Sequence, residues 1–422
     1  MNWLVTLGNS VKENKHKALE MALLGLMVLA LPSLEAPKNI FLVFYVVVAL
    51  FRQISNKSNS WEFWDWLFLL CIGSAFLSAM FAGITPGDEW KGFRVLVTYV
   101  SVGWLISRAN YSKTEMAWLF GVAVIGVIPP LIWGYCQYLW LHNKRDLQLH
   151  SVGHVNHSAI YLAILFGASI GASLSLWQSA NLKIRVVLLS LSAFLLLSLF
   201  VGDSRGALGV GVLLALVLIT VLSRQTKMKW FAYGILASAA LLAVALHASV
   251  VTKQLGLQKN DIILSYRDKV WNVSLEASRF YPLLGIGLDN WKLIKREDIK
   301  KSVEARNQVY NPDNYYFPGH SHNVYLTALV ERGYLGLSVL LLLMFAWIRQ
   351  LYKSFALTRN DAVAAYLWAG SFSAWLVTFG VGIVNTTLHH EHGILAFLFL
   401  GLYLSYAKQH ASQHAAANKQ SI

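Results

Sequence analysis

Charge is scarce in this sequence. Only 13% of its 422 residues are Asp, Glu, Lys or Arg, where a soluble domain carries about a quarter. A water-soluble globule cannot hide so much apolar chain. Cysteine is nearly absent: Cys71 and Cys136 both lie inside apolar runs, and the long polar stretch has none. A disulfide framework is therefore excluded. The alternation of a membrane β-barrel, lipid-facing apolar against lumen-facing polar, is missing as well. So are a phosphate-binding lysine loop and a dinucleotide fingerprint, and an enzyme of this kind would need substrates that arrive activated. No cleavable signal peptide stands at the start. The first apolar run follows "KENKHKALE" and reads as a retained first span.

What is present is hydrophobic sequence, 56% of the chain. Runs such as "FWDWLFLLCIGSAFLSAMFAGI" (Phe63–Ile84) approach the ~20 residues that cross a bilayer as a helix. Only helices satisfy the backbone there once barrels are excluded. The pattern predicts an all-α integral membrane protein with about twelve spans, near 18–33, 39–53, 63–84, 93–107, 115–140, 157–177, 184–202, 205–222, 229–250, 323–347, 361–383 and 392–408. Three regions follow: spans one to nine over 1–250, a large loop over 251–321, and three further spans with a short tail over 322–422.

An even count puts both termini on one side. Loops on that side hold seventeen Lys and Arg, against Lys38, Lys91, Arg94, Lys144, Arg145 and Arg205 in the short loops opposite. The excess predicts cytoplasmic termini and an extracytoplasmic large loop. Histidine is distributed the other way. Ten of the thirteen fall on or near the outer side, which hints at chemistry there, although longer loops hold more of every residue.

Three stretches carry candidate chemistry. In "VGDSRGALGVG" (Val201–Gly211), Arg205 sits at a tip between two apolar helices. An arginine so near the bilayer is costly unless paired. It either pairs with Asp203, which would cap the next helix, or clamps an anion, with Gly202 and Gly206 letting a phosphate approach. In "LSYRDKVWNVSLEASRFYPLLGIGLDNW" (Leu264–Trp291), Tyr266, Val270, Val273, Ala277 and Phe280 share a helical face. Arg267 opens that helix, against its dipole, either as a surface arginine paired with Asp268, Asp261 or a headgroup, or as a ligand-binding group. The segment "LLGIGLDNW" reads as a turn.

The third stretch is "PGHSHNVYLTALVERGYLGL" (Pro318–Leu337). His320 and His322 are two apart and share a side of an extended segment, and Asn323 suits the N-cap of the next span. A metal would need three or four ligands. "HSVGHVNH" and "LHHEHG" offer His150, His154, His157, His389, His390 and His392, with the first three on one face if helical. Nothing in the sequence joins these groups, and no metal is expected.

These three blocks, in this order, resemble the Wzy C-terminal/O-antigen ligase superfamily, whose His-x-His-Asn signature matches "HSHN". The resemblance implies a GT-C-type membrane fold, no cofactor and no metal. It implies functional roles for His322, Arg205 and Arg267, with His320, Asn323 and Asp203 as secondary candidates. It also implies a donor glycan on undecaprenyl diphosphate, a lipid A-core acceptor in lipopolysaccharide biosynthesis, and a bacterial inner membrane with a periplasmic active site. No obligate protein partner and no nucleic acid are implied. The single large loop before "HSHN" and the short tail favour a ligase. A polymerase of repeat units ranks second and protein O-glycosylation third. A lipid-linked glycan transporter is the rival of another class, disfavoured because no internal repeat is evident.

In the expected chemistry, the arginines take up charge growing on a diphosphate leaving group. His322 takes the proton of an acceptor hydroxyl, with inversion at the anomeric carbon. The net charge of +14 suits phosphorylated lipids. The basic run Lys292, Lys295, Arg296, Lys300, Lys301 and Arg306 is either a solvated helix face or a contact for an anionic glycolipid.

Overall fold

The computed structural model describes residues 15–55, 60–223, 225–245, 255–256, 258 and 264–420. His247 and parts of the ninth expected span and of the large loop fall outside these residues, as does the side chain of His390. The described chain is helical throughout, with no strand among the described residues.

Each expected span coincides with a helix. They are α1 (Lys15–Ala30), α2 (Glu35–Ser55), α3 (Phe63–Met80), α4 (Glu89–Ser107), α5 (Lys113–Ile125) with α6 (Ile128–Tyr135), α7 (Val155–Leu176), α8 (Leu182–Val201), α9 (Arg205–Leu222) and α10 (Thr226–Ala245). Two short helices of the large loop follow, α11 (Arg267–Ala277) and α12 (Arg296–Glu304). Then come α13 (Val324–Lys353), α14 (Ala362–Leu376) and α15 (His390–Gln420). Among the described residues, eight helical stretches are long and apolar enough to cross a membrane: α2, α3, α5–α6, α7, α8, α9, α13 and α14 with its extension. The other four are weaker for visible reasons. Helix α1 has 16 residues, α4 opens on Glu89, Lys91 and Arg94, α10 opens with Lys227 and Lys229, and α15 runs on into a polar end.

Helices α7 and α14 form the centre. Helix α7 packs on α8, α9 and α14, and α14 also packs on α15. Small residues permit this. A Cβ on Gly171 would stand 2.1 Å from the Cβ of Ala369, and one on Gly167 would stand 2.3 Å from Leu214 and Ser373. Where lipid is as apolar as the side chains, such close backbone approach is what holds helices together. Outer helices instead present large apolar residues, such as Val43, Phe44, Val47 and Phe51 on α2.

The expected single span over 115–140 is broken. Gly126 and Val127 separate α5 from α6, which carries Pro129 and Pro130 near its start and ends in a π-helical turn at Cys136–Trp140. Proline lacks the donor that would continue the ladder.

The large loop is a small lobe with its own core of Val270, Val273, Ala277, Ile286, Trp291, Ile294, Ile299 and Val303, joined to α13 through Val330. Asn290 stitches the lobe to the α3–α4 connection. Its Oδ1 accepts from the Asp88 amide at 2.8 Å, and its Nδ2 donates to the Ile84 carbonyl at 2.9 Å.

A second break lies in α13. Gly333 has φ 63° and ψ −165°, outside helical values. The backbone of "PLLGIG" fills the gap. The amides of Ile286 and Gly287 donate to the Val330 and Glu331 carbonyls, at 2.9 and 3.0 Å. The amides of Tyr334 and Leu335 donate to the Pro282 and Leu283 carbonyls, at 2.7 and 3.2 Å. These four backbone groups at the break thus find partners, as irregular backbone at membrane depth requires. Only glycine fits at both contact points. A Cβ on Gly333 would lie 2.3 Å from Leu283 backbone, and one on Gly285 would lie 2.3 Å from Glu331 backbone. The segment expected as a plain turn is therefore a wedge in a broken helix.

Candidate active site

The site assembles on the turn that follows α14. Helix α14 ends in a π-helical turn at Val377–Val381, and residues 382–387 then run past the start of α13. The Val324 amide donates to the Gly382 carbonyl at 2.8 Å. Asn323 caps α13: its Oδ1 accepts from the amides of Tyr325 and Leu326, at 2.9 and 3.0 Å. Its Nδ2 donates to the Ile383 carbonyl at 2.9 Å. The expected cap is present, and it also fastens the helix entrance to the turn.

Arg267 reaches the same turn. It is the first residue of α11, following Ser265 and Tyr266, both at positive φ. Its Nε donates to the Val384 carbonyl at 2.7 Å, and Nη1 donates to the Leu264 carbonyl at 3.3 Å. Both partners are neutral, so the surface pairing with Asp268 considered from sequence is not what holds it, and Asp261 lies outside the described residues. Burial, and then the nearby Arg205 guanidinium, pull its pKa below the ordinary arginine value. That second cause brings the two arginines into one site. Arg205 opens α9 and donates from Nη2 to the Ser265 hydroxyl at 2.8 Å. The α8–α9 tip is as tight as expected, only Gly202, Asp203 and Ser204 long, with Asp203 at φ 49°. The N-cap position of α9 falls to Ser204, not Asp203.

His322 also has a left-handed backbone, φ 49°, sparsely populated for a residue with a side chain. Its ring centroid is 4.0 Å from that of His320, so the two histidines do share a side. Nδ1 of His322 is buried and makes no hydrogen bond among the described residues. Burial, His320 and Arg267, in that order, push its pKa down to about 3, while the Asn385 side chain opposes the shift. His320 is pushed down as well, by burial, His154 and Arg267. The neutral imidazole is thus the resting form of His322.

A second histidine group lies beside the first. His154 caps α7, and His157 follows one turn later with ring centroids 6.1 Å apart. His150 precedes the helix, so the three do not share one helical face. The His157 ring stacks on His389 and His392, at 5.5 and 5.1 Å, and its Nδ1 lies 2.9 Å from Nε2 of His392. Among the described residues, no three His, Cys, Asp or Glu side chains converge in a way that could hold a metal.

The basic run of the lobe is largely engaged within the protein. Arg306 pairs with Glu276 at 2.6 Å, Lys292 with Asp88, and Lys300 with Glu304 at 3.8 Å. Asn385 is the residue that sequence reasoning missed. Its signal is a polar "NTT" at the end of an apolar run, on the side where the histidines gather.

Chemically, two adjacent guanidiniums suit a diphosphate. A neutral imidazole with an open nitrogen suits a proton acceptor. Residues 190–341 match the model of the O-antigen ligase family. That is the family which the three motifs resembled, and the matched stretch holds Arg205, Arg267, His320, His322 and Asn323. The turn at 382–387 lies beyond it. No curated protein matches the chain.

Proposed function

We propose that the chain is a multi-pass membrane glycosyltransferase of the O-antigen ligase kind. It moves a glycan from undecaprenyl diphosphate to a sugar hydroxyl of lipid A-core, at the periplasmic face of a bacterial inner membrane. The observation that carries the reading is the convergence of Arg267 and His322 on one turn with Arg205 close by, the imidazole neutral and Arg267 held by neutral oxygens. On this reading all twelve helices cross the membrane in a GT-C-type arrangement, with both termini cytoplasmic.

The steps balance simply. Arg205 and Arg267 bind the diphosphate in forked contacts and take up charge as the bond between the anomeric carbon and the phosphate oxygen breaks. The acceptor oxygen attacks from the opposite face, which inverts that carbon. His322 removes the hydroxyl proton as the new bond forms. Lipid diphosphate leaves without needing a general acid, and the protein's own residues complete the charge balance. Asn323 and the 382–387 turn set the position of His322 against Arg267.

The test is reconstitution of purified protein with a polyprenyl-diphosphate-linked glycan and rough lipopolysaccharide, in excess chelator. Joined glycolipid is the expected product. Elongation of the donor glycan without transfer to lipopolysaccharide would instead make the chain a polymerase. Vesicle translocation of donor with no covalent product would make it a transporter. Loss of activity in chelator, restored by magnesium, manganese or zinc, would overturn the metal-free step.

A further inference from the structure

A cavity of about 230 Å³ is lined in part by His320. Its lining includes Lys91, Asp289, Thr327, Glu331 and Arg332, whereas Arg205 and Arg267 are not part of it. Two neighbours in sequence stand out. Glu331 and Arg332 occupy the turn of α13 immediately before the Gly333 break. Both line the cavity. The amides of Asp289 and Trp291 face the Glu331 carboxylate and fix its direction. The Arg332 guanidinium lies near Tyr99 and Cys71. Neither residue makes a side-chain ion pair among the described residues, unlike Lys91, which stands 3.6 Å from Asp289.

A carboxylate and a guanidinium half-buried near a membrane without such pairing are costly, and a polyhydroxylated ligand would satisfy both. Sugar hydroxyls donate to carboxylates and accept from guanidiniums, and Tyr99 adds an aromatic ring to the same wall. We infer that this cavity is the subsite for the acceptor's terminal sugar, with Glu331 and Arg332 holding its hydroxyls so that one of them meets His322. The inference rests on the transferase reading. It places donor phosphates and acceptor sugar on opposite sides of the histidine pair. The wedge of "PLLGIG" in the broken helix is then what builds the acceptor side.

The experiment measures transfer and donor hydrolysis separately, using a polyprenyl-diphosphate-linked oligosaccharide as donor and rough lipopolysaccharide as acceptor probe. For Glu331→Gln and Arg332→Gln, the KM for lipopolysaccharide should rise about tenfold or more, as loss of charge-assisted hydrogen bonds implies. The donor KM and the slow transfer to water should stay within about twofold of wild type. Lys91→Gln, at the exposed mouth, serves if those two variants fail to fold, with a smaller rise in the same constant. An unchanged acceptor KM in all folded variants would overturn the subsite. Equal losses for donor and acceptor would overturn it too. If the wild type itself forms no joined product, the transferase reading fails, which is a different result from either.

Discussion

The cations at the end of the helix bundle that carries the termini and the two arginines of the candidate site differ in their named partners. At the end that carries the termini, cations meet carboxylates. Lys17 pairs with Glu115 at 2.6 Å, Arg108 with Asp65 at 2.7 Å, Lys113 with Asp361 at 2.5 Å, Lys408 with Glu62 at 2.7 Å, and Arg52 with the fully buried Glu20. At the other end Lys38 likewise pairs with the buried Glu391, but Arg267 is held by carbonyl oxygens and Arg205 donates to a serine hydroxyl. A carboxylate partner would neutralise an arginine and leave little for a ligand. A neutral partner orients the guanidinium and keeps its charge available. The difference teaches that pairing at the first end secures the fold, while the neutral partners of Arg267 orient its guanidinium.

Substituting the arginines should break the comparison most severely. Arg205→Lys and Arg267→Lys should each weaken donor binding about tenfold, and together about a hundredfold if their effects add, because an ammonium cannot make the forked contact. Binding of the polyprenyl-diphosphate donor, measured in detergent, checks this. Unchanged affinity in the double variant would show that the second end is no more ready for an anion than the first.

At the terminal end the same kind of change should act on stability alone. Glu20→Gln leaves Arg52 facing an uncharged partner, and breaking a buried pair in this way costs about 3–5 kcal/mol. A lower melting temperature with unchanged donor KM is expected. A selective loss of donor binding would contradict the division of labour. Lys113→Met belongs at the bottom of the scale. Its pair with Asp361 is half exposed, so less than about 1 kcal/mol is at stake, and neither transfer nor melting should move appreciably.

The pH profile sharpens the contrast from the second end. A histidine of ordinary pKa would lose its base form below about pH 6.5, the decline that the sequence alone suggests. Burial and cationic neighbours instead push His322 down to about 3. The base form then persists far below neutrality, and kcat/KM, which reports free protein, should stay level from pH 7 to about pH 5. Stability behaves differently. With a folded value below the unfolded one, protonation favours the unfolded chain. The His322 contribution is therefore present above the unfolded value and is lost as pH falls from about 6.5 towards 3. A titration of kcat/KM centred at 6–7 would mean that His322 is neither buried as described nor the base.

Much of this was legible in the sequence. Apolar run lengths located helices at the twelve expected spans, eight of them long and apolar enough to cross a membrane among the described residues, and the "DSR" tip, the Asn323 cap and the adjacency of His320 and His322 follow from local rules about capping and spacing. Long-range contacts were not legible. Nothing in "LLGIG" signals that its carbonyls and amides complete a helix broken at Gly333, because the partner segment lies about fifty residues away. Nor does "IVNTT" announce that its backbone holds Arg267 and Asn323. The three histidines of "HSVGHVNH" do not share a face because α7 begins at Val155, a boundary that no periodicity fixes. Two glycines, Gly285 and Gly333, mark these hidden junctions by tolerating backbone approaches that a Cβ would block.

The most direct measurement is a single turnover. Wild-type protein and His322→Ala are each preloaded with labelled polyprenyl-diphosphate-linked glycan, then mixed with excess rough lipopolysaccharide, and the joined product is followed in time. The account predicts equal donor loading in both, with product formation slowed about a hundredfold or more in the variant, as loss of a positioned general base implies. Equal donor loading with product formed at the wild-type rate would contradict it.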